Sequence, residues 1–286
     1  MSRWLLILGV LAACSDGAAD PAWMASIADG TPMTALSLPG THDSGARFEP
    51  AAGLAMTQDL TIAEQLAAGV RFFDLRCRHV EDAFLIYHGA IDQNQTFEDV
   101  LVTLETFLAA HPSEAILASV KEEATPSNAT RAFDATFMTY VAAHASLFSL
   151  ATSLPTLGAL RGRVQLVRRF ASEAALGIDA SPWADNATFS IPTVGMRVQD
   201  EYVVTSNDAK WAAITALLDE AATGDPGTLV LNFTSGYQTV SGLPNITLVS
   251  DDINARLDAL TTSTRTGVLV MDHVDAARVQ AVIDRN

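Results

Sequence analysis

The stretch LSLPGTHDSGA, residues 36–46, joins an apolar run to a Pro-Gly turn and then places His42 beside Asp43. It belongs to a series of eight short strand-like runs, at 34–39, 70–76, 83–88, 115–121, 163–170, 195–202, 228–234 and 267–273. Between them lie six helical patterns, at 60–69, 96–110, 128–148, 208–222, 250–260 and 275–283. Strands that alternate with helices are typical of a parallel α/β fold.

This alternation predicts a (β/α)8 TIM barrel that is somewhat irregular, because six helices serve eight strands. The short interval between the second and third strands is interpreted as a hairpin-like link, and residues 171–194 as an irregular loop. A doubly wound open sheet remains the alternative architecture.

The charge of the chain excludes some partners. The 286 residues include 17 basic and 33 acidic side chains, which gives a net charge of -16. The basic residues form no stripe that could follow a phosphate backbone, so nucleic acid is not expected as a partner. The same charge repels anionic lipid, and any contact with a membrane therefore needs apolar insertion or a tether.

The first residues, MSRWLLILGVLAAC, combine one early cation with an apolar run too short to span a bilayer. LAAC resembles the lipobox of bacterial lipoproteins, which implies removal of a signal peptide, 1–13, and lipidation of Cys14. Residues 14–30 would form a tether and 31–286 a single catalytic domain. An ordinary signal peptide or a plain anchor remains open, so the exported protein is either a cell-envelope lipoprotein or secreted. Cys77 then has no disulfide partner and is interpreted as a buried strand residue.

Polar residues stand at the C-terminal end of every predicted strand, where barrel enzymes carry their chemistry. They are His42, Asp43, Asp74, Arg76, His88, Lys121, Arg168, Arg169, Asp200, Tyr202, Asn232, Asp272 and His273. Each has a structural alternative, such as a turn cap, an ion pair or a solvated loop start. His273 is interpreted as a charged strand terminus, and His79, His111 and His144 as surface residues.

The ordered motifs LPGTHDSG, FFDLR, YHG, LASVKEE, RRF, VQDEY, LNFT and VLVMD resemble those of the bacterial phosphatidylinositol-specific phospholipase C family. The resemblance covers about 35–273. It implies an irregular (β/α)8 barrel that cleaves phosphatidylinositol to diacylglycerol and inositol 1,2-cyclic phosphate. Some members also release glycosyl-phosphatidylinositol anchors.

The resemblance implies a role for each motif residue. His42 would be the general base, oriented by Asp272, and His88 the general acid, with Asp43 beside it. Arg76 would bind the phosphate, and Asp74 would orient the site. Two histidines suit proton transfer near neutral pH, and a guanidinium suits the oxygens of a phosphate.

The inositol headgroup needs further donors and acceptors. Lys121, Arg169 and Asp200 are expected to bind it, and Tyr202 to stack under the ring, whereas Arg168 is expected to face away. Calcium-dependent relatives carry oxygen ligands where Arg76 stands, so we expect no metal and no cofactor.

The expected partners are a phosphatidylinositol or glycosyl-phosphatidylinositol lipid and a membrane surface, with a monomeric protein. The mouth loops lack the tryptophans expected for insertion, and the weaker candidates are Phe48, Leu54, Met56, Tyr237 and Leu243. Two other functions remain open. One is a metal-dependent glycerophosphodiester phosphodiesterase, which would need more acidic strand ends, and the other is a headgroup-binding lipoprotein without catalysis.

Overall fold

The computed structural model describes residues 20–286. The predicted signal peptide, 1–13, and the predicted lipidation site, Cys14, lie outside the described residues.

The strands follow the predicted runs, with several short additions. Their bounds are β1 Leu38–Thr41, β2 Phe72–Val80, β3 Ala83–His88, β4 Ile91–Thr96, β5 Ile116–Ser127, β6 Phe148–Ser149, β7 Val164–Arg169, β8 Ile178–Asp179, β9 Ala187–Ile191, β10 Met196–Asp200, β11 Leu229–Phe233, β12 Gln238–Val240, β13 Leu243–Asn245 and β14 Val268–Met271.

The helices include all six predicted ones and a short seventh. Their bounds are α1 Ile62–Ala68, α2 Phe97–Ala110, α3 Phe133–Ala143, α4 Leu157–Leu160, α5 Asn207–Thr223, α6 Thr247–Asp258 and α7 Ala276–Ile283. Three 3-10 turns lie at Trp23–Ser26, Met33–Ala35 and Pro192–Val194. No helix in the described part of the chain is long and apolar enough to cross a membrane.

Seven parallel strands form the barrel wall in the order β7-β5-β2-β1-β14-β11-β10. At one edge, β6 and β8 both pair with β7, and at the other edge β9 pairs antiparallel with β10. Within residues 20–286 no ladder joins the two edges, so the sheet is curled but not closed by hydrogen bonds. The predicted irregular α/β barrel is confirmed.

The hairpin-like link predicted between the second and third strands is present, because β2 continues to Val80 and β3 returns antiparallel beside it, with Cys77 opposite Ile86. The strand at 83–88 is therefore not one of the parallel wall strands, and the wall has seven strands instead of the predicted eight. Two other local predictions were wrong. Residues 171–194 are not one irregular loop, since they contain β8 and β9. Gly40 lies inside β1 and not in a turn, and an added Cβ would meet Phe72 at 3.0 Å and so crowd the neighbouring strand.

The N-terminal segment closes the bottom of the barrel. Trp23 and Met24 are buried, and the Trp23 indole donates a hydrogen bond to the Gly69 carbonyl at 3.0 Å. Arg71 and Glu114, both fully buried, form a 2.8 Å ion pair beside this segment. Because these residues precede β2 and β5, the contacts lie at the N-terminal ends of the strands. The residues from 20 onward are therefore packed against the domain, so 20–30, the part of the predicted tether that the structure describes, does not act as a tether.

Candidate active site

His42 and Asp272 meet because their strands are neighbours. In the β1–β14 ladder Thr41 lies opposite Met271, so the next residue of each strand emerges at the same point of the mouth. Nδ1 of His42 donates to Oδ1 of Asp272 at 2.7 Å, since a carboxylate oxygen only accepts. Nε2 of His42 is therefore free to take a proton.

Gln58 holds these two strand ends together from behind. Its Nε2 donates to the His42 carbonyl at 2.9 Å and to the Met271 carbonyl at 2.8 Å. The side chain is fully buried, so both bonds are shielded from water.

Asp74 and Arg76 lie two residues apart on β2 and so point to the same face. Nε of Arg76 donates to Asp74 at 2.9 Å, and the guanidinium lies 3.6 Å from Glu123 and 3.9 Å from Asp43. Burial opposes ionisation of Asp74, but the positive charges of Arg76 and Arg169 outweigh it and hold the pKa of Asp74 well below its usual range. The pair is charged, and Arg76 is fixed at the bottom of the mouth.

Asp43 has an unusual environment. The residue has a φ of 38°, its side chain is fully buried, and neither carboxyl oxygen has a hydrogen-bond partner in the described residues. Burial raises the pKa of Asp43 well above its ordinary value, against the influence of Arg76. A carboxyl that keeps its proton readily is suited to share one with a neighbouring imidazole.

That neighbour is His88. Its Nδ1 donates to the Ala55 carbonyl at 2.7 Å, so Nε2 faces the cavity, 3.9 Å from Asp43. Burial, together with the charges of His42 and Arg76, lowers the pKa of His88 to about 4. The rings of His42 and His88 lie edge to face with 6.3 Å between their centroids.

The opposite wall is built from the ends of β5, β7 and β10. The guanidinium of Arg169 lies 3.7 Å from the centre of the Trp183 ring, whose indole donates to Asp200 at 2.9 Å. Lys121 lies on β5 and pairs with Glu123 at 2.6 Å. These contacts fix the polar groups in place before any ligand binds.

Tyr202 stands at the outer edge of this wall. Its hydroxyl donates to Asp185 at 2.6 Å, and that hydrogen bond raises the pKa of Tyr202 to about 12. The ring therefore stays neutral and its orientation is held by the bond.

The two walls enclose a cavity of about 400 Å³. Both histidines, Arg76 and the four residues Lys121, Arg169, Asp200 and Tyr202 line it. This volume is in the range of small-molecule sites, with charged groups converging at its bottom.

Comparison with known proteins places this arrangement in a family. Residues 52–170 match the family model "Phosphatidylinositol-specific phospholipase C, X domain". The 1-phosphatidylinositol phosphodiesterase of Staphylococcus aureus strain Newman is 30% identical over 273 residues, covering 88% of this chain and 87% of the relative. The chain belongs to the phosphatidylinositol-specific phospholipase C family.

Further relatives agree with this. The 1-phosphatidylinositol phosphodiesterase of Listeria monocytogenes is 26% identical over 277 residues, covering 92% of this chain and 84% of the relative. A crystal structure of the phosphatidylinositol-specific phospholipase C from S. aureus superposes with a TM-score of 0.82 at 28% identity and covers 93% of this chain and 97% of that one. The Listeria enzyme has the same fold, with a TM-score of 0.78 at 24% identity.

The structure brings together all ten residues expected to catalyse or bind substrate. Arg168 turns away as expected and pairs with Asp179 at 2.8 Å. Asn232 does not reach the mouth, because its amide bonds to Gln199 and to the Ile214 carbonyl. Cys77 is buried, as predicted. The expectation of surface positions for His79 and His144 was wrong, since both are buried in contacts between elements.

Among the cavity-lining residues that the sequence prediction missed, three have charged or aromatic side chains: Glu123, Trp183 and Asp185. Glu123 is the last residue of the motif LASVKEE but was not among the predicted site residues, yet it pairs with both Arg76 and Lys121. Trp183 and Asp185 lie in the segment interpreted as a loop. A lone Trp next to charged residues in a long connection was the available signal.

The residues at the bottom of the cavity do not fit a resident metal. Arg76 lies among the carboxylates of Asp43, Asp74 and Glu123, where a cation would otherwise be expected. Nor does the described part of the chain contain a group of three or more His, Cys, Asp or Glu side chains arranged to hold a metal ion.

Proposed function

We propose that this protein cleaves phosphatidylinositol as a phosphatidylinositol-specific phospholipase C, releasing diacylglycerol and inositol 1,2-cyclic phosphate. The observation that carries the proposal is the pair of histidines that lines one cavity together with Arg76. The relatives from S. aureus and L. monocytogenes carry the name 1-phosphatidylinositol phosphodiesterase.

In the proposed reaction, Nε2 of His42 removes the proton of the inositol 2-hydroxyl while that oxygen attacks phosphorus. The bond from phosphorus to the diacylglycerol oxygen breaks, and Nε2 of His88 gives its proton to the leaving oxygen. Asp272 stabilises the imidazolium formed on His42. Arg76 donates to the non-bridging oxygens, where negative charge grows in the transition state.

The low pKa of His88 follows partly from the positive charges facing it. An anionic phosphate placed between His88 and Arg76 cancels that influence and favours the protonated imidazole. Substrate binding thereby prepares the acid for its task, with Asp43 as the second holder of the proton.

The test is incubation of the protein with phosphatidylinositol, followed by phosphorus NMR. We expect the cyclic phosphate, with turnover reduced at least 100-fold in His42→Ala and His88→Ala. Activity unchanged in either variant contradicts the assignment, and binding of the headgroup without any product favours the non-catalytic lipoprotein instead. Full turnover in excess chelator is expected, whereas a loss that calcium restores would favour a metal-dependent phosphodiesterase.

An apolar rim suits contact with a lipid surface. Of the seven large hydrophobic side chains that are exposed in residues 20–286, five lie in segments that follow the C-terminal ends of wall strands. These five are Phe48, Val203, Val240, Leu243 and Leu248. Leu243 is the most exposed, at 63%, and such side chains supply part of the apolar insertion that the missing tryptophans would give.

Contact between the apolar rim and a lipid surface can be tested with a matched control residue on the side of the barrel. Leu243→Ser is expected to weaken binding to phosphatidylcholine vesicles several-fold without changing turnover of a dispersed substrate. Met138→Ser changes an apolar side chain of 42% exposure on α3 and should leave vesicle binding unchanged. Equal effects of the two changes would argue against rim contact.

A further inference from the structure

The segment at the bottom of the barrel fixes where the N-terminal part of the chain leaves the domain. Arg161, which precedes β7, donates to the carbonyls of Met24 at 3.1 Å and Ile27 at 2.6 Å and pairs with Asp29 at 2.6 Å. Gly69, Glu114 and Arg161 lie in three different loops, each of which precedes a strand. All three loops therefore contact residues 20–29. The proposed catalytic residues lie on the mouth side of the sheet, level with His42 or beyond it, since Thr41 pairs with Phe73 of β2.

This docking is not a loose association. Trp23 is 7% exposed and Met24 is 0% exposed, and Arg71 lies against the Trp23 and Phe107 rings while donating to the Pro21 carbonyl. Releasing the segment would expose these apolar side chains and uncover a buried ion pair, each of which is costly. The exit point at Asp20 is therefore a fixed feature of the domain.

The chain between this exit point and Cys14 is short. Five residues, 15–19, separate the two, so even a fully extended chain bridges about 20 Å and a flexible one about 14 Å on average. Two of the helices that run from mouth to bottom are longer: α2 has 14 residues and α5 has 17, or about 21 and 25 Å. The mouth loops lie beyond the starts of these helices.

We propose that the protein acts in trans: a lipid on Cys14 holds the bottom of the barrel toward one membrane, and the mouth takes phosphatidylinositol from a different lipid surface. The inference rests on the proposed function and on lipidation of Cys14. The apolar rim and the anchor are then two membrane contacts at opposite ends of one rigid domain. The anchor does not replace the missing mouth tryptophans, because it cannot bring the mouth to its own membrane.

The experiment uses the full mature chain, incorporated into phosphatidylcholine vesicles through its own lipid. In one sample the phosphatidylinositol is in the same vesicles as the protein, and these shared vesicles are kept so dilute that collisions are rare within the assay. In the other sample it is in separate vesicles, which are mixed with the protein vesicles at a higher concentration, where collisions are frequent. We expect at least tenfold more cyclic phosphate from the separate vesicles than from the dilute shared vesicles. Turnover in dilute shared vesicles that equals or exceeds this value overturns the inference.

Lengthening the tether provides the matched variant. Twenty Gly/Ser residues inserted between Ala19 and Asp20 raise the average reach to about 28 Å, so cleavage in dilute shared vesicles should rise at least fivefold. No rise contradicts the proposed geometry. Mass spectrometry of the mature chain must show acyl groups on Cys14, and their absence also overturns the inference.

The proposed function has its own readout in the same material. In mixed micelles of detergent and phosphatidylinositol the tether imposes no constraint, so the full chain must release cyclic phosphate there. Failure in micelles contradicts the proposed function, whereas activity in micelles together with efficient cleavage in dilute shared vesicles contradicts only the orientation.

Discussion

The environment of the Asp43 carboxyl lowers the stability of the protein. The carboxyl is buried without a hydrogen-bond partner and its pKa is raised, chiefly by burial. When folding raises the pKa of a carboxyl, the protein loses stability as the pH rises from the pKa of the unfolded state, near 4, through the pKa of the folded state. At pH 7 the native state therefore bears a destabilisation that is absent at a pH below the unfolded value.

Asp43→Asn should therefore stabilise the protein and inactivate it. The amide keeps the shape, tolerates the positive φ and removes the buried charge, while the shared proton of the acid is lost. We expect the Tm at pH 7 to rise by a few degrees and kcat to fall at least tenfold. Calorimetry at pH 4 and pH 7 checks the sign, because the gain should shrink at pH 4. A variant that is less stable at pH 7 and still active would contradict this role.

Gln58 offers a test of positioning. Gln58→Met keeps the volume but removes the two bonds that join the His42 and Met271 carbonyls. We expect kcat to fall about 10- to 100-fold through misplacement of the base, with KM little changed and a shift in the pH profile of kcat.

The matched control for this change is Gln165, which is equally buried and lies at the N-terminal end of β7, away from the mouth. Its side chain also donates to two backbone carbonyls. Gln165→Met should lower the free energy of unfolding by about 1–3 kcal/mol without shifting the pH profile. If both variants change only stability, Gln58 has no special link to the base.

Among the elements, the β2–β3 hairpin shows what the sequence can and cannot predict. His88 was expected at the mouth as the end of the third predicted strand, which a hairpin-like link joins to the second. It does reach the mouth, on an antiparallel strand that returns along β2 after the turn at Glu81 and Asp82, but this strand stands outside the parallel wall. Apolar alternation identifies a strand and its end, whereas its place in the sheet depends on a partner chosen in the folded chain.

The same limit explains the missed residues. His42 and Asp272 could be predicted because parallel strand ends share one edge of a sheet. Trp183 and Asp185 could not, since their segment has no periodicity and takes its course from contacts with Arg169, Asp200 and Tyr202. The open side of the barrel was missed as well, because β8 has only two residues and the alternation in β9 does not reveal that it pairs antiparallel with β10.

The contact between α2 and the end of α3 depends on pH. His144 faces two carboxylates, Glu105 at 3.0 Å and Glu98 at 3.2 Å, one on each ring nitrogen. A neutral imidazole can donate to only one of them. Burial opposes protonation, but the two hydrogen bonds outweigh it and raise the pKa of His144.

The stabilisation from this contact should be present below pH 6.5, the ordinary value for histidine, and be lost as the pH rises through the raised pKa. His144→Gln should therefore cost more stability at pH 5 than at pH 9. The difference should stay near 1 kcal/mol, since both carboxylates are about half exposed. Urea unfolding at the two pH values measures it, and a cost independent of pH would contradict the pairing.

For the molecule as a whole, the bottom segment should contribute strongly to stability. Trp23→Ala removes a large buried side chain and uncovers the Arg71–Glu114 pair, so we expect a loss of about 3–5 kcal/mol. Phe48→Ala, at 46% exposure on the rim, should cost less than 1 kcal/mol. Urea midpoints compare the two, and similar losses would show that the segment is not integral to the domain.

The same segment sets an order of events during folding. Residues 20–29 emerge before the rest of the domain, yet their partners Glu114 and Arg161 lie 90 and 137 residues beyond Met24 in the chain. The wall itself is completed only when β14, near the far end, inserts between β1 and β11. Contacts between such distant residues form late, because long loops must close first. Residues 20–29 therefore stay without these partners until over half of the chain has been made, which makes them the part of the described structure most accessible to proteases before folding is complete.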